Sequence, residues 1–120
     1  MPVSIDVWIR GTTHATTCEG PELSADAGAW TDDEVRSLLT GMLLAIDRQK
    51  NPGTERDQVA LRGFSWIVSP YDDKGVVVHV EMQTGTASAG PFRADEAALT
   101  TTIRRLITAE AAGGAGTTVH

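Results

Sequence analysis

The sequence predicts an α+β fold, a two-layer sandwich in which helices pack against one sheet. Alternating apolar and polar residues at 3–9 and 75–84 are typical of half-buried strands. Apolar residues at helical spacing occur at 35–46 and 99–107. With one further strand, the predicted order is strand, helix, strand, strand, helix. A chain of 120 residues can bury such a core as a single domain, which we assign to residues 1–111.

The first predicted strand, residues 3–9, places four apolar side chains on one side of its backbone and Ser4, Asp6 and Trp8 on the other. Residues 11–30, in contrast, have no period and are rich in Gly, Thr, Ala and Pro. We therefore expect 11–30 to be a long connection. Loops of this length in a small domain are usually functional or mobile.

The first helix has the clearest start signal in the chain. In "TDDE", residues 31–34, Thr31 can cap the helix while Glu34 reaches back to it, and the acidic charge suits the positive end of the helix dipole. The apolar positions that follow have helical spacing: Val35, Leu38, Leu39, Met42 and Ile46. The helix is predicted to end at "KNPG", residues 50–53, because proline and glycine do not continue a helix.

Two more strands are predicted in the middle of the chain. They are "QVALRGFSWIV" at 58–68 and "GVVVHVEMQT" at 75–84, and the Pro, Asp and Gly of the intervening "SPYDDKG" favour a turn. A hairpin is the simplest arrangement of this pair, and a longer crossing connection is the alternative. On the second strand the valines at 76, 78 and 80 face one way, while His79 and Glu81 face the other.

The last part of the chain contains the second helix. "GTASAGPF" at 85–92 is expected to be a flexible connection, and the helix follows at about 93–111. Residues 112–120 are Gly-rich and are expected to form a flexible tail. A shift of 61 residues places Leu38 over Leu99 and aligns the apolar stripes of the two helices, which suggests two pseudo-repeated β-α-β units.

Composition excludes several classes of function. Sixteen acidic and ten basic residues give a net charge of −6, which repels a phosphate backbone, so no nucleic-acid partner is expected. No apolar run approaches the roughly 20 residues of a membrane span, and Asp6 and Arg10 stand where a signal peptide is apolar. The single Cys18 suits a reducing compartment. We expect an acidic, soluble, cytoplasmic protein that has no membrane partner.

The opening of the chain, "MPVSIDVWIRG", carries a family resemblance. Together with "TDDEVRSLLTGMLLAI" and "DQVALRGFSWIV" it resembles the strand-helix-strand unit of the tautomerase superfamily, whose members begin at a catalytic amino-terminal proline. "VVVHVEMQTG" followed by "FRADEAALTTTIRRLI" resembles the second such unit, and is most similar to that of the 5-carboxymethyl-2-hydroxymuconate isomerases. The resemblance implies a cofactor-independent isomerase that acts on a small keto-enol carboxylate.

The resemblance also implies which residues act. Removal of Met1 would leave Pro2 with a free secondary amine, which titrates near neutral pH and can serve as a general base. Arg10 lies near the end of the first strand, where the family often has a Gly-Arg pair. Arg93 stands in "FRADE", which is similar to the family's Gly-Arg-Ser-Asp-Glu helix start. Either guanidinium could bind the substrate's carboxylate as a forked donor.

Three further substrate-binding candidates follow from the residues themselves. Arg62 is a candidate by its strand position, His79 by its place on a valine-rich strand, and Trp66 as a pocket wall. Each also has a structural interpretation, since such residues often pair with neighbours or pack against a helix or a second subunit. We expect no metal site, because Cys18 and His14, one Cys and one His in a loop, do not make a four-ligand set.

A non-catalytic role is the alternative interpretation of the same residues. Pro2 would then be the first residue of a strand, a position at which proline is tolerated. Trp8, Phe64 and Trp66 would be buried in contacts between copies of the chain, and the loop at 11–30 would contact a partner. The sequence therefore leaves two hypotheses, a tautomerase-like isomerase and an oligomeric assembly or protein-binding domain, and self-association is expected in both.

Overall fold

The structure, a computed structural model, describes residues 2–24, 27–50, 61, 63–71 and 75–117, with side chains described from 3 to 109 within these ranges. The elements there are β1 Pro2–Ile9, β2 Thr16–Glu22, a 3-10 turn Ala27–Ala29, α1 Asp32–Lys50, β3 Ser65–Pro70, β4 Gly75–Met82, β5 Gly85–Arg93 and α2 Glu96–Thr117. The strands form one sheet in the order β2-β1-β5-β4-β3, in which every neighbouring pair is antiparallel. The predicted α+β class is confirmed.

Both helices lie on the same face of the sheet. Helix α1 contacts β1, β2, β4 and β5, while α2 contacts α1 and β3. Alternate strand residues point into the core that the helices cover, and the buried ones from β1 and β4 are Val3, Ile5, Val7, Val76, Val78 and Val80. The alternation predicted for these two strands is therefore confirmed, and the molecule has two layers.

Helix α1 begins with the predicted capping box. The Glu34 N–H donates to Thr31 Oγ1 at 3.2 Å, and the Glu34 carboxylate accepts from the N–H groups of Thr31 at 3.2 Å and Ser24 at 2.8 Å. These hydrogen bonds, that from Ser24 above all, hold the pKa of Glu34 below its usual range. The five predicted core positions of α1 are all buried. The Glu34 carboxylate thus also binds the segment around Ser24 to the start of α1.

Helix α2 begins after Asp95, whose Oδ2 accepts from the N–H of Ala98 at 2.8 Å. Its apolar stripe packs into the same core, with Leu99, Ile103 and Leu106 buried. Arg105 joins the two helices by donating to both carboxylate oxygens of Asp32, at 2.7 and 2.9 Å. These hydrogen bonds hold the pKa of Asp32 below its usual range.

The stretch 11–30 is not the continuous connection that the sequence predicts. Thr16–Glu22 forms β2, which pairs with β1 at one edge of the sheet. Gly20 and Pro21 are residue types that are uncommon in strands, so the sequence pattern does not indicate β2. Proline has no backbone N–H, and it is tolerated there because the outer side of an edge strand has no neighbouring strand to accept a hydrogen bond.

A second strand replaces the flexible connection expected at 85–92. Strand β5 lies between β1 and β4, in the middle of the sheet. Its inward side chains are small, with Ala87 and Ala89 buried, so it lacks the β-branched residues that usually indicate a strand. Gly90 has a φ of +129°, and a Cβ there would lie 2.8 Å from the carbonyl oxygen of Val76, so the position requires glycine.

The two added strands change the element order to strand, strand, helix, strand, strand, strand, helix. A hairpin followed by a helix occurs twice, as β1-β2-α1 and β4-β5-α2, but β3 has no counterpart. The chain is therefore not a clean repeat of two β-α-β units. The predicted hairpin between β3 and β4 is confirmed by their antiparallel pairing and by a 2.9 Å hydrogen bond from Tyr71 N–H to the Gly75 carbonyl.

Two predicted boundaries also differ from the structure. Strand β3 begins at Ser65, and residues 58–60 and 62 of the longer predicted strand lie outside the described residues. Helix α2 continues to Thr117, so the expected tail is helical over 112–117, while 118–120 lie outside the described residues. Within the described ranges, neither helix combines the length and the apolarity needed to cross a bilayer.

Candidate functional site on the open sheet face

No helix or strand of the described residues covers the sheet face opposite the helices, and we call it the open sheet face. It consists of the outward-pointing residues of the five strands, which pair across the sheet in rows. The middle row is Ile67, His79, Ser88, Asp6 and Thr17. The next row is Ser65, Glu81, Thr86 and Trp8. Because strand side chains alternate between faces, the strong inward pattern of β1 and β4 also fixes which residues form this surface.

Two hydrogen bonds hold the middle row. His79 Nδ1 lies 2.7 Å from Ser88 Oγ, and Thr17 Oγ1 donates to Asp6 Oδ1 at 2.7 Å. Each bond joins side chains on neighbouring strands, so the polar groups of this row are positioned by the sheet itself. The row therefore presents a fixed pattern of polar groups.

Two large apolar side chains stand exposed on this surface. Trp8 is 44% exposed and Ile67 is 57% exposed, although both belong to regular strands. The Trp8 indole is held in place, because its Nε1 donates to the carbonyl oxygen of Thr12 at 2.9 Å. Strands β5 and β4 separate the two residues. Because neighbouring strands are about 4.8 Å apart, Trp8 and Ile67 lie about 15 Å from each other. We call Trp8 and Ile67 the apolar anchors.

A shallow cavity of about 410 Å³ lies between the anchors, beside β3 and β4. Its lining includes His79, Glu81, Thr86 and Ser88. A hydrogen-bonded serine and histidine are two parts of a nucleophilic triad, but a triad also needs a group that orients the histidine. The carboxylate of this row, Asp6, lies on the far side of the serine, on β1, and does not occupy that position. In the described part of the chain, the pair is thus a serine–histidine hydrogen bond that Asp6 does not extend into a triad.

The structure separates two of the residues predicted to act together. Pro2 is the first residue of β1 and pairs with Glu22, whereas Arg10 follows the last residue of β1. Eight residues of strand place them about 26 Å apart. Arg10 instead donates from Nε to the Gln83 carbonyl at 2.9 Å, beside the turn between β4 and β5. These two residues therefore do not form one site.

The other predicted residues are dispersed as well. Arg93 ends β5 and pairs with Gly75, at the same end of the sheet as Pro2. His79 lies on the open sheet face, while Trp66, which is partly buried, packs against the core on the helix side. Arg62 lies outside the described residues. Among the predicted residues that the structure describes, Pro2 and Arg93 share one end of the sheet, and His79 and Trp66 both line the cavity of about 410 Å³.

A second concavity, of about 500 Å³, lies between the edge strand β2 and helix α1. Cys18 and Gln49 line it, and Gln49 Nε2 donates to Cys18 Sγ at 3.4 Å. Helix and strand approach closely here, since a Cβ built on Gly41 would lie 2.7 Å from Pro21 Cδ. In the part of the chain that is described, no three His, Cys, Asp or Glu residues form a group that could hold a metal ion.

Several residues of the open sheet face were not singled out from the sequence. Asp6 and Glu81 could have been found, because both lie on the outward side of strands whose alternation is clear. Ser88 and Thr17 could not, because each belongs to a strand that the sequence does not indicate. The chain matches no protein-family model, and no curated protein and no solved structure matches it significantly.

Proposed function

We propose that the protein is a non-catalytic binding domain and that a protein partner docks on its open sheet face. The observation that supports this function is the uncovered sheet, on which the two apolar anchors stand exposed. Removing a large apolar side chain from water contributes roughly 1.5 to 3 kcal/mol, so both anchors favour docking. Tryptophan is also among the residues that most often anchor protein–protein interfaces.

The open sheet face is also well ordered for binding. Its side chains project from paired strands, the Trp8 indole is hydrogen-bonded to Thr12, and His79 is hydrogen-bonded to Ser88. A partner that docks here immobilises few additional groups. Such preorganisation lowers the entropic cost of association.

Paired affinity capture from an extract of the native cells tests this function. The baits are the wild-type chain, a Trp8→Ala/Ile67→Ser variant, and Tyr71→Ala as a control that removes another exposed apolar side chain next to the β3–β4 turn. We expect a protein that the wild-type and control baits retain and the anchor variant loses. After purification, its affinity for the anchor variant should fall at least tenfold, as it does when interface anchors are truncated. Equal binding to all three baits would contradict the proposal.

Copies of this chain can also meet through the same face, and we include self-association in the proposal. The sequence predicts self-association through Trp8, Phe64 and Trp66. Phe64 and Trp66 pack against the chain's own core, so among these three only Trp8 is largely exposed. The anchors Trp8 and Ile67 would therefore carry any contact between copies.

A tautomerase-like isomerase is the second candidate, and one observation favours it. Strand β1 begins with Pro2 and runs antiparallel to β5, which ends with Arg93, so both residues lie at one end of the sheet. A guanidinium at that end could bind the carboxylate of a substrate whose carbon proton is transferred by the Pro2 amine. The proposal requires that Met1 be removed, which intact mass would establish.

Ketonisation of phenylenolpyruvate tests the second candidate. Pro2→Ala should abolish the reaction, because alanine supplies a primary amine of different basicity and shape. Arg93→Ala should raise KM about tenfold or more by removing one partner of a charge-assisted pair. Arg10→Ala is the matched control, since Arg10 lies at the other end of β1. A wild-type chain that lacks Met1 and is inactive on this enol would contradict the isomerase.

A further inference from the structure

We infer that the partner segment which docks on the open sheet face is basic, an extended stretch that carries Lys or Arg beside apolar residues. This inference rests on the proposed binding function and adds the chemistry of the partner. It follows from where the charges lie relative to the two apolar anchors.

Each anchor has a carboxylate close to it. Asp6 lies two residues before Trp8 on β1, on the same side of the strand, which places the two about 7 Å apart. Glu81 on β4 is the diagonal neighbour of Ile67 on β3, also at about 7 to 8 Å. Both carboxylates are exposed. A partner side chain that packs on either anchor therefore lies next to a negative charge.

The Trp8 side of the surface suits a cation in two ways. Its hydrogen bond to Thr12 holds the indole in place. A guanidinium or ammonium over an indole ring gains a cation–π interaction, and Asp6 can pair with the same group. An exposed tryptophan beside a carboxylate thus forms a receptor for Arg or Lys rather than for a neutral side chain.

Among the described residues, the cations near the anchors do not cancel this charge. Of the five described strands, only β5 contains a Lys or Arg, namely Arg93 at its end. Arg93 is seven residues from Thr86, the neighbour of Trp8, and hence about 23 Å along the strand. Arg10 follows Trp8 by two residues and keeps its positive charge while it donates to the Gln83 carbonyl. It therefore offsets one nearby carboxylate. Among the described residues of this face, the carboxylates of Asp6, Glu19 and Glu81 outnumber Arg10, so the excess charge is negative, in line with the net charge of −6.

The distance between the anchors fits an extended segment. They are about 15 Å apart, which four to five residues of extended chain can span at roughly 3.3 Å per residue. A segment with apolar residues four positions apart, each with a Lys or Arg two positions away, would place apolar groups on Trp8 and Ile67 and cations near Asp6 and Glu81, because residues at even spacing share one side of an extended chain. A second copy of this acidic surface would instead bring like charges together.

Selection from a display library of random dodecapeptides tests the inference. The wild-type chain is the target, and peptides that still bind the Trp8→Ala/Ile67→Ser variant are removed. We expect the remaining peptides to be at least twofold enriched in Lys and Arg over the unselected library. For a synthetic peptide of this set, Asp6→Asn/Glu81→Gln should weaken binding about threefold to tenfold, since each exposed pair contributes roughly 0.2 to 1 kcal/mol.

The controls separate this inference from the proposed function. Glu96→Gln removes an exposed carboxylate from helix α2, on the opposite layer, and should leave the affinity unchanged. Raising the salt concentration should weaken the peptide in wild type more than in Asp6→Asn/Glu81→Gln. Anchor-dependent peptides that are neutral or acidic, or that bind Asp6→Asn/Glu81→Gln as tightly as wild type, would overturn the basic partner and leave the binding function intact. If no selected peptide depends on the anchors, both proposals fail.

Discussion

Single residues set the local geometry of this fold where backbone or side chains come unusually close. Gly90 combines a φ of +129° with the nearby Val76 carbonyl, and Gly41 brings α1 within contact of Pro21. At the start of α1 the Glu34 carboxylate accepts hydrogen bonds from two backbone N–H groups. The sequence pattern does not distinguish Gly41 and Gly90 from the other glycines. Glu34 can be recognised from the sequence, because its capping motif lies within four consecutive residues.

Gly90→Ala should lower the free energy of unfolding by about 3 kcal/mol, because it combines backbone strain with a steric clash against the Val76 carbonyl. Gly11→Ala is the matched control: Gly11 has a φ of +93°, and no described atom lies within 4 Å of a Cβ built there. Its cost should be about 1 kcal/mol, from strain alone. Urea denaturation measures both values, and equal losses would show that the contact with β4 does not contribute.

The pH dependence of stability should report the hydrogen bonds of Glu34. Its pKa is lowered in the folded state, so its contribution is complete at neutral pH and is lost as pH falls from the ordinary value of 4.5 through the lower folded-state pKa. Glu34→Gln should therefore reduce Tm at pH 7 and flatten the fall of Tm below pH 4.5. Glu96→Gln, the same change in the first turn of α2, should leave that fall nearly unchanged. An unaltered acid profile in Glu34→Gln would contradict this assignment.

Among the elements, the edge strand β2 and the central strand β5 are the ones that local pattern does not reveal. β2 contains Gly20 and Pro21, and β5 contains Gly, Ala and Ser in place of β-branched residues. Each is held by its neighbours, since β1 pairs with both of them. Strand formation there is a consequence of pairing and packing rather than of intrinsic propensity.

Hydrogen exchange should distinguish β2 from a loop. The amides of Thr16–Glu22 that are directed toward β1 should exchange at least tenfold more slowly than those of residues 11–15, because they are held in the ladder. Amides directed away from β1 should exchange quickly, as expected for an edge strand. Uniformly fast exchange from 11 to 22, followed residue by residue by NMR, would contradict the strand.

The contact between α1 and β2 should reverse the effect of a helix-favouring substitution. Gly41→Ala should gain up to about 1 kcal/mol of helix propensity, but its Cβ would meet Pro21 Cδ at 2.7 Å. We expect a net loss of about 1 kcal/mol in the wild-type background, since overpacking costs roughly 1 to 3 kcal/mol. In a Pro21→Ala background the same substitution should become stabilising. A denaturation cycle with no coupling between the two positions would exclude this packing.

The whole molecule is asymmetric, with a helical layer on one side of the sheet and an acidic, partly apolar surface on the other. The apolar anchors favour association through that surface. Asp6, Glu81 and Glu19, which pairs with the outward Ser4, oppose the approach of another copy. Salt affects these two contributions in different ways. It screens the carboxylates but does not weaken the burial of apolar groups.

Self-association through the open sheet face should therefore increase with salt. Light scattering at tens of micromolar is expected to give a weight-average mass that rises as NaCl increases from about 0.05 to 0.5 M, over which the Debye length shortens to a few ångströms. Trp8→Ala should abolish the rise, whereas Tyr71→Ala should not. A monomer at every salt concentration would remove self-association from the proposal. A mass that falls with salt would show that another, charge-complementary surface joins the copies.

The sequence by itself determined the elements whose information is local. Strands β1 and β4 follow from strict alternation, and α1 follows from "TDDE" and five apolar positions at helical spacing, because period and capping depend on nearby residues only. The outward positions of Asp6, Trp8, His79 and Glu81 follow from the same alternation. These features were sufficient for the α+β class.

Only the tertiary structure decided the strand order, the existence of β2 and β5, and the grouping of the candidate site. Pairing of β1 with both β2 and β5 joins residues distant in sequence, and it brings Trp8 beside Thr86 and Asp6 beside Ser88. It also places Pro2 and Arg10, both near the start of the chain, at opposite ends of one strand. Distances across a sheet depend on which strands are neighbours and in which register, and that choice is made by burial of the whole core rather than by any single segment.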